Sequence, residues 1–340
     1  MVLISAPSFT PAAMVSAQAP LIRAGALSLS LSLSLLLASC AAPQQGAERS
    51  SSSRGRGLAV VTTVLPITLF TRAVAGDCAT VTALIPPNLG PHDFQARPGD
   101  LVALRQARVL VKNGLGLEQF LDKLTASAGN SQLVVIDSSR GIATIASPQD
   151  EPDHGHGHDH GHGHDHGAIN PHIWLDPLRA VQQVETIRDG LVKADPGCAD
   201  GYKRNAAAYV AQLRDLNNAI AAQLKPYKGK TFIAFHDVAP YFAQRYGLRA
   251  QFLVDVPELS PSPADLQRVV AQVRQSQLKA LLSEPQAGQR SFNTLARDLG
   301  VAISVFDPIE TGSAAAAQDP GTYLRVMRRN TSDLVGAFGG

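Results

Sequence analysis

The ten histidines of this 340-residue chain fall into two groups. One group alternates with glycine and aspartate in a low-complexity run and comprises His154, His156, His158, His160, His162, His164 and His166. The other three, His92, His172 and His236, stand alone in otherwise apolar segments. Neutral imidazole is the commonest protein ligand for zinc and its neighbours. Because histidine occurs nowhere else, the sequence predicts a folded metal site of three imidazoles beside a flexible, imidazole-rich segment.

Two of the lone histidines follow predicted β-strands. His92 lies in the loop after a strand predicted at 80–85, and His236 comes directly after a strand predicted at 231–235. Ligand sites in open parallel sheets gather at the carboxyl ends of the strands. We therefore expect both imidazoles at such an end.

Two further candidates lie at the ends of predicted elements. Asp307 directly follows a strand predicted at 302–306, and His172 precedes a helix predicted to begin near Asp176. Three imidazoles and a carboxylate suit a tetrahedral zinc ion, and the carboxylate offsets part of its charge. The predicted metal ligands are therefore His92, His172, His236 and Asp307.

Each candidate also has a purely structural interpretation. A lone histidine can cap a helix or bond within a core, and Asp307 followed by Pro308 can form a turn. Glu284, which follows a strand predicted at 280–282, is either a ligand or an acceptor that fixes an imidazole tautomer. The histidine run can be a solvated linker. We expect it to be disordered and still to bind metal weakly, as an accessory to the site.

The elements that must position these residues alternate along the chain. Short β-branched runs are separated by longer helical runs from residue 58 onward, which indicates α/β units with mostly parallel sheets. We predict two parallel-sheet α/β lobes joined by one long helix, with the metal site in the cleft between them. The predicted divisions are an N-terminal lobe at 58–198 with a His-rich loop at 150–168, a linking helix at 199–226 and a C-terminal lobe at 227–340.

The N-terminus has the pattern of a targeting segment. An apolar stretch, shorter than the roughly 20 residues that a transmembrane helix needs, ends in Leu37-Ala38-Ser39-Cys40. These four residues resemble a bacterial lipobox. We predict a signal peptide over 1–39, lipidation of Cys40 and a flexible tether over 40–57, so that the protein is periplasmic or on the cell surface. Cleavage as an ordinary signal peptide, and a start at Met14, stay open.

Export would place the remaining cysteines, Cys78 and Cys198, in an oxidising compartment, where a lone pair more often bridges than not. We expect one disulfide between them. The net charge of +2, with no basic stripe, argues against a nucleic-acid partner. We expect a monomer.

Several motifs together resemble one known family, the high-affinity zinc-binding solute-binding proteins of bacterial ABC importers, within a wider zinc and manganese group. The resemblance covers roughly residues 58–335. Its motifs are Gly90–Phe94 with Pro98 and Asp100-Leu101, Asn113-Gly114 with Leu117-Glu118, Asn170–Pro177, Phe235–Asp237 with Tyr241-Phe242 and Tyr246-Gly247, Ser283–Gln286, and Phe306–Pro308.

The resemblance implies two lobes on a rigid helix, with metal held by the matched His92, His172 and His236. The fourth place in the family is taken by a carboxylate matching Asp307, by a carboxylate beside the first histidine, or by water. Here Pro91 precedes His92, which leaves Asp307 or water. Manganese members usually replace the third histidine with glutamate, so the resemblance favours zinc.

The resulting functional hypothesis is capture of Zn²⁺ and its delivery to a membrane permease with a cytoplasmic ATPase. Alternatives are a manganese or other divalent-metal binding protein, a zinc hydrolase, and a surface adhesin or metal store. No His-Glu-x-x-His motif is present, so we expect binding rather than catalysis. Because imidazole must be neutral to bind metal, zinc affinity should fall as the pH drops through about 6.5.

Overall fold

The computed structural model describes residues 57–147, 169–254, 262–285 and 289–339. The predicted signal peptide, Cys40 and the histidine run at 154–166 lie outside the described residues. Within the described ranges, no helix is long and apolar enough to cross a membrane.

The first lobe alternates strands with helices, as the apolar pattern predicts. Its elements are β1 (Leu58–Thr62), α1 (Leu65–Ala75), β2 (Ala79–Ala83), α2 (Pro98–Gln106), β3 (Val109–Lys112), α3 (Phe120–Ala128), β4 (Val134–Asp137) and α4 (Pro177–Ala194). The strands form a parallel sheet in the order β2-β1-β3-β4. In the central strand β3, Val109, Leu110 and Val111 form a continuous apolar run that is at most 1% exposed.

The second lobe repeats this arrangement after the long helix α5 (Ala199–Leu224). Its elements are β5 (Thr231–His236), α6 (Pro240–Tyr246), β6 (Arg249–Val254), α7 (Pro263–Ser276), β7 (Ala280–Ser283), α8 (Gln289–Leu299), β8 (Ala302–Val305) and α9 (Gly321–Ala337). The parallel order is β6-β5-β7-β8. The predicted fold class, two parallel-sheet α/β lobes with one long helix, is confirmed.

Helix α5 packs against both lobes through one apolar stripe. Tyr202, Ala206, Tyr209 and Leu213 recur every three to four residues and are at most 5% exposed. The helix contacts α1 and α4 of the first lobe and α9 of the second. At 26 residues it is about 39 Å long, which lets a single element support both lobes.

Hydrogen bonds and ion pairs also join the two lobes. Asp176, the N-cap of α4, is fully buried and accepts hydrogen bonds from Arg179 and, in bidentate fashion, from Arg245 of α6. The indole of Trp174 donates to the carbonyl of Pro308 over 2.8 Å. These bonds hold the segment around His172 against the second lobe.

Cys78 and Cys198 are joined in a disulfide with a Cα–Cα distance of 6.1 Å. The bridge connects the chain just before β2 to the N-cap of α5, 120 residues later in sequence. It therefore ties the linking helix to the sheet of the first lobe.

Candidate metal centre

The three lone histidines are carried by short, well-fixed segments. His92 lies in a 3₁₀ turn, Pro91–Asp93, that Pro91 begins. His172 is the N-cap of a second 3₁₀ turn, Ile173–Leu175, directly before α4. His236 is the last residue of β5, at the carboxyl end of a buried strand. The structure thus brings imidazoles from both lobes to one place.

A glutamate joins them there. One ligand atom from each of His92, His172, His236 and Glu310 lies within 4.8 Å of the others. Glu310 Oε1 is 3.2 Å from the Nε2 atoms of both His92 and His172, and Oε2 is 3.9 Å from His236 Nε2. His172, His236 and Glu310 are buried, whereas the side chain of His92 is 14% exposed. Of the four, His92 is the one that faces solvent.

Asp307, the carboxylate expected from the sequence, is not one of these four residues. Asp307 Oδ1 accepts a hydrogen bond from the backbone N–H of Ile309 over 2.7 Å, and Asn330 bonds both backbone groups of Asp307. The carboxylate therefore stabilises the turn after β8, the alternative that its pairing with proline suggested. Ile309 has a left-handed φ of 64°, and the turn delivers Glu310 to the histidines instead.

Glu284 lies behind His236. Its Oε2 is 2.6 Å from His236 Nδ1, and its Oε1 accepts a hydrogen bond from the His236 backbone N–H. A carboxylate that accepts at Nδ1 leaves Nε2 for the centre of the group. The geometry matches the role of an acceptor that fixes the tautomer.

Asn170 serves His172 in the same way, and sequence reasoning did not assign it this role. Its Oδ1 lies 3.0 Å from both the backbone nitrogen and Nδ1 of His172. The signal in the sequence was its position two residues before a candidate ligand, but the contact depends on the turn between them.

Burial and the neighbouring charges together determine the pKa values of His172, Glu310 and Asp307. Removal from water lowers the pKa of His172 to about 4, against the opposing effect of Glu310, so this imidazole is neutral at physiological pH. Burial alone would raise the pKa of Glu310, but the charges and hydrogen bonds of the surrounding histidines hold it well below its usual value. Burial, with the charges of Glu284 and Glu310, raises the pKa of Asp307 to about 6.

The donor set fits a divalent ion of the zinc type. Imidazole nitrogens suit Zn²⁺, and three of them with one carboxylate make a closed four-ligand set. Nδ1 is engaged by an acceptor in both His172 and His236, which leaves Nε2 of each ring on the side of Glu310. The carboxylate supplies the charge that a buried cation requires.

A family model and curated relatives that match this chain are described as zinc-uptake or zinc-binding proteins. Residues 60–337 match the family model described as zinc-uptake complex component A, periplasmic (ZnuA). The high-affinity zinc uptake system protein ZnuA of Bacillus subtilis (strain 168) is 31% identical over 287 residues, which cover 84% of this chain and 89% of that protein. The zinc-binding lipoprotein AdcA of Streptococcus pneumoniae is 31% identical over 279 residues, 82% of this chain. The chain spans 55% of the length of AdcA.

Solved structures show the same architecture. A crystal structure of ZnuA superposes with a TM-score of 0.68 at 27% identity and covers 82% of this chain and 99% of that one. The Zn(II)-bound AdcA of Streptococcus pneumoniae superposes with a TM-score of 0.68 at 29% identity, over 83% of this chain and 57% of that one.

Proposed function

This chain belongs to the family described as zinc-uptake complex component A, periplasmic, and we propose that it captures Zn²⁺ outside the cytoplasm for an ABC-type importer. The observation that carries the proposal is the group of three imidazoles and one carboxylate, whose ligand atoms lie within 4.8 Å of one another where the two lobes meet. The group lies in the family-matched range 60–337 and offers four donors, the number that a tetrahedral zinc ion takes.

The proposed ligands are the Nε2 atoms of His92, His172 and His236 and a carboxylate oxygen of Glu310. Three neutral imidazoles and Glu310 leave a bound Zn²⁺ with one uncompensated positive charge. Glu284, bonded to His236, supplies a second negative charge beside the proposed site. These negative charges support binding of a dication in a site that is buried apart from His92.

Zinc is favoured over manganese by the donors. Imidazole-rich sets suit zinc, whereas manganese prefers sets richer in oxygen. The third histidine, His236, is a nitrogen donor held by Glu284, so the oxygen-rich alternative is not favoured here.

Four protein ligands also argue for binding rather than catalysis. Catalytic zinc normally keeps one position open for water or substrate, and Glu310 occupies that position in this proposal. Esterase and hydration assays on the zinc-loaded protein should therefore give no activity above that of free zinc.

We further propose that the protein is a monomer, anchored by a lipid on Cys40, that passes its ion to a membrane permease coupled to a cytoplasmic ATPase. The histidine run would add weak sites that raise the local zinc concentration. Family membership supports an importer as the partner, and the lipobox pattern supports the anchor.

Metal-resolved native mass spectrometry of the mature chain tests the proposal. We expect one tightly held zinc per chain, plus weaker ions that disappear when residues 154–166 are deleted. Loss of the tight ion on that deletion would refute the assignment to the folded site. Labelled palmitate incorporation that is abolished by Cys40→Ala tests the anchor.

A further inference from the structure

Asn170 makes a hydrogen bond with every one of its polar groups. Its backbone N–H donates to the carbonyl of Ile145, and its carbonyl accepts from the Tyr241 hydroxyl over 2.7 Å. Its side-chain oxygen faces His172, and its side-chain nitrogen faces Asp237. The residue is 2% exposed. Its position is therefore determined from several directions at once.

The neighbours of the amide fix which end is oxygen. The backbone N–H of His172 can only donate, so it requires Asn170 Oδ1 beside it at 3.0 Å. The backbone carbonyl of Asp237 can only accept, so it requires Nδ2 beside it at 2.7 Å. The orientation of the amide follows from these two contacts.

This orientation selects the tautomer of His172. Oδ1 has no proton to give, so His172 Nδ1 must carry a hydrogen and donate it over 3.0 Å. The lone pair of the neutral ring then lies on Nε2, which faces Glu310 at 3.2 Å. Asn170 thereby presents to the metal the only ring nitrogen that can bind it.

The other end of the amide reaches the second lobe. Asn170 Nδ2 donates to the backbone carbonyl of Asp237 over 2.7 Å and to its Oδ2 over 2.9 Å. Asp237 directly follows His236 at the end of β5. One side chain thus fixes a ligand of the first lobe and the residue adjoining a ligand of the second.

We propose that Asn170 is a positioning residue of the metal centre, which sets His172 and His236 at binding distance by joining the two lobes through one amide. The inference rests on the proposed function, because it assumes that the two imidazoles bind the ion. Asparagine is required because the position needs an acceptor and a donor on one short side chain.

The test compares four variants with the wild-type chain, using Zn²⁺ affinity by chelator competition and the visible absorption of bound Co²⁺. Asn170→Ala should weaken Zn²⁺ binding 10- to 100-fold, the usual effect of losing a group that orients a ligand. It should also reduce the intense Co²⁺ bands of a tetrahedral site. Asn130→Ala is the matched control, since Asn130 bonds the carbonyls of Leu104 and Ala107 and the backbone of Gln132 instead.

Two further variants separate positioning from general stability. Asn170→Asp keeps the acceptor for His172 but sets a carboxylate against Asp237, and we expect it to bind Zn²⁺ more weakly than wild type. Asn170→Asp combined with Asp237→Asn restores the side-chain contact at unchanged total charge but not the bond to the carbonyl of residue 237, so it should recover part of the lost Zn²⁺ affinity and Co²⁺ bands.

The inference would be overturned if Asn170→Ala had the Zn²⁺ affinity and Co²⁺ spectrum of the wild type, or if its affinity fell while the Co²⁺ bands stayed unchanged. It would also be overturned if the double variant bound Zn²⁺ no more tightly than Asn170→Asp. Failure of the wild-type chain to bind one tight Zn²⁺ would instead refute the proposed function. The two failures are therefore distinguishable in one experiment.

Discussion

Replacing Glu310 with glutamine best distinguishes the ligand proposed from the structure, Glu310, from the ligand expected from the sequence, Asp307. Glu310 and Asp307 lie in the same turn after β8, and each can be changed to its amide with the loss of one charge. Glu310 Oε1 is 3.2 Å from two imidazole Nε2 atoms, whereas Asp307 Oδ1 bonds the backbone of Ile309. Glu310→Gln and Asp307→Asn therefore form a matched pair.

The expected magnitudes differ because only one of the two is a proposed ligand. Structural zinc sites with four ligands bind with apparent free energies of about 10–16 kcal/mol. If the four ligands contribute equally to this binding free energy, each contributes about 2.5–4 kcal/mol, and its loss should weaken binding roughly 100- to 1,000-fold. Glutamine retains an oxygen, so we expect about 100-fold for Glu310→Gln. Asparagine can still accept from Ile309, so Asp307→Asn should cost less than about tenfold.

Competition with a zinc chelator at pH 7.5 measures both variants against wild type, with bound zinc counted by elemental analysis. Circular dichroism establishes that each variant is folded. The reasoning is refuted if Glu310→Gln binds within threefold of wild type, or if Asp307→Asn loses as much affinity as Glu310→Gln.

Three further predictions concern pH and stability. The folded pKa of His172 is about 4 against about 6.5 unfolded, so the unfolded chain binds more protons between these values. The free energy of unfolding of the metal-free protein, measured in urea, should fall by up to about 3 kcal/mol between pH 6.5 and pH 4. The His172→Gln variant should lose less over the same range. An equal pH dependence in the two proteins would contradict this prediction. The Cys78–Cys198 disulfide joins residues 120 apart in sequence, and its removal should lower the free energy of unfolding by about 2–5 kcal/mol. Reductant should lower the melting temperature of the wild type and should have no effect on that of the variant without the disulfide. Arg245→Met removes one of two guanidiniums on a fully buried carboxylate and should lower the free energy of unfolding by about 2–3 kcal/mol. Arg325→Met, which breaks an exposed pair with Asp319, should lower it by less than about 1 kcal/mol.

The fold and the imidazoles were accessible from sequence because they depend on local patterns. Buried parallel strands are continuously apolar, so β3 and β5 stand out from the helices between them. A histidine at the end of such a strand, as His236 is, lies at the edge where ligands bind. Periodicity and the position of His236 at the end of a strand thus suffice to predict that it lies at that edge.

The proposed fourth ligand, Glu310, was not found from the sequence, because its placement beside the histidines depends on a turn. Asp307 follows β8 closely and was the natural choice, but it is used to bond Ile309 within the turn. The left-handed φ of Ile309 then directs Glu310 inward. Asn170 was likewise unassigned, since its contact with Asp237 joins residues 67 apart in sequence.

The central claim is that one zinc ion is held by His92, His172, His236 and Glu310. Crystals of the zinc-loaded chain, with diffraction collected on both sides of the zinc absorption edge, test it most directly. The account predicts a single strong anomalous peak at about 2.0–2.2 Å from three Nε2 atoms and a Glu310 oxygen. A peak coordinated by Asp307 in place of Glu310, or a tight ion bound away from these four residues, would contradict it.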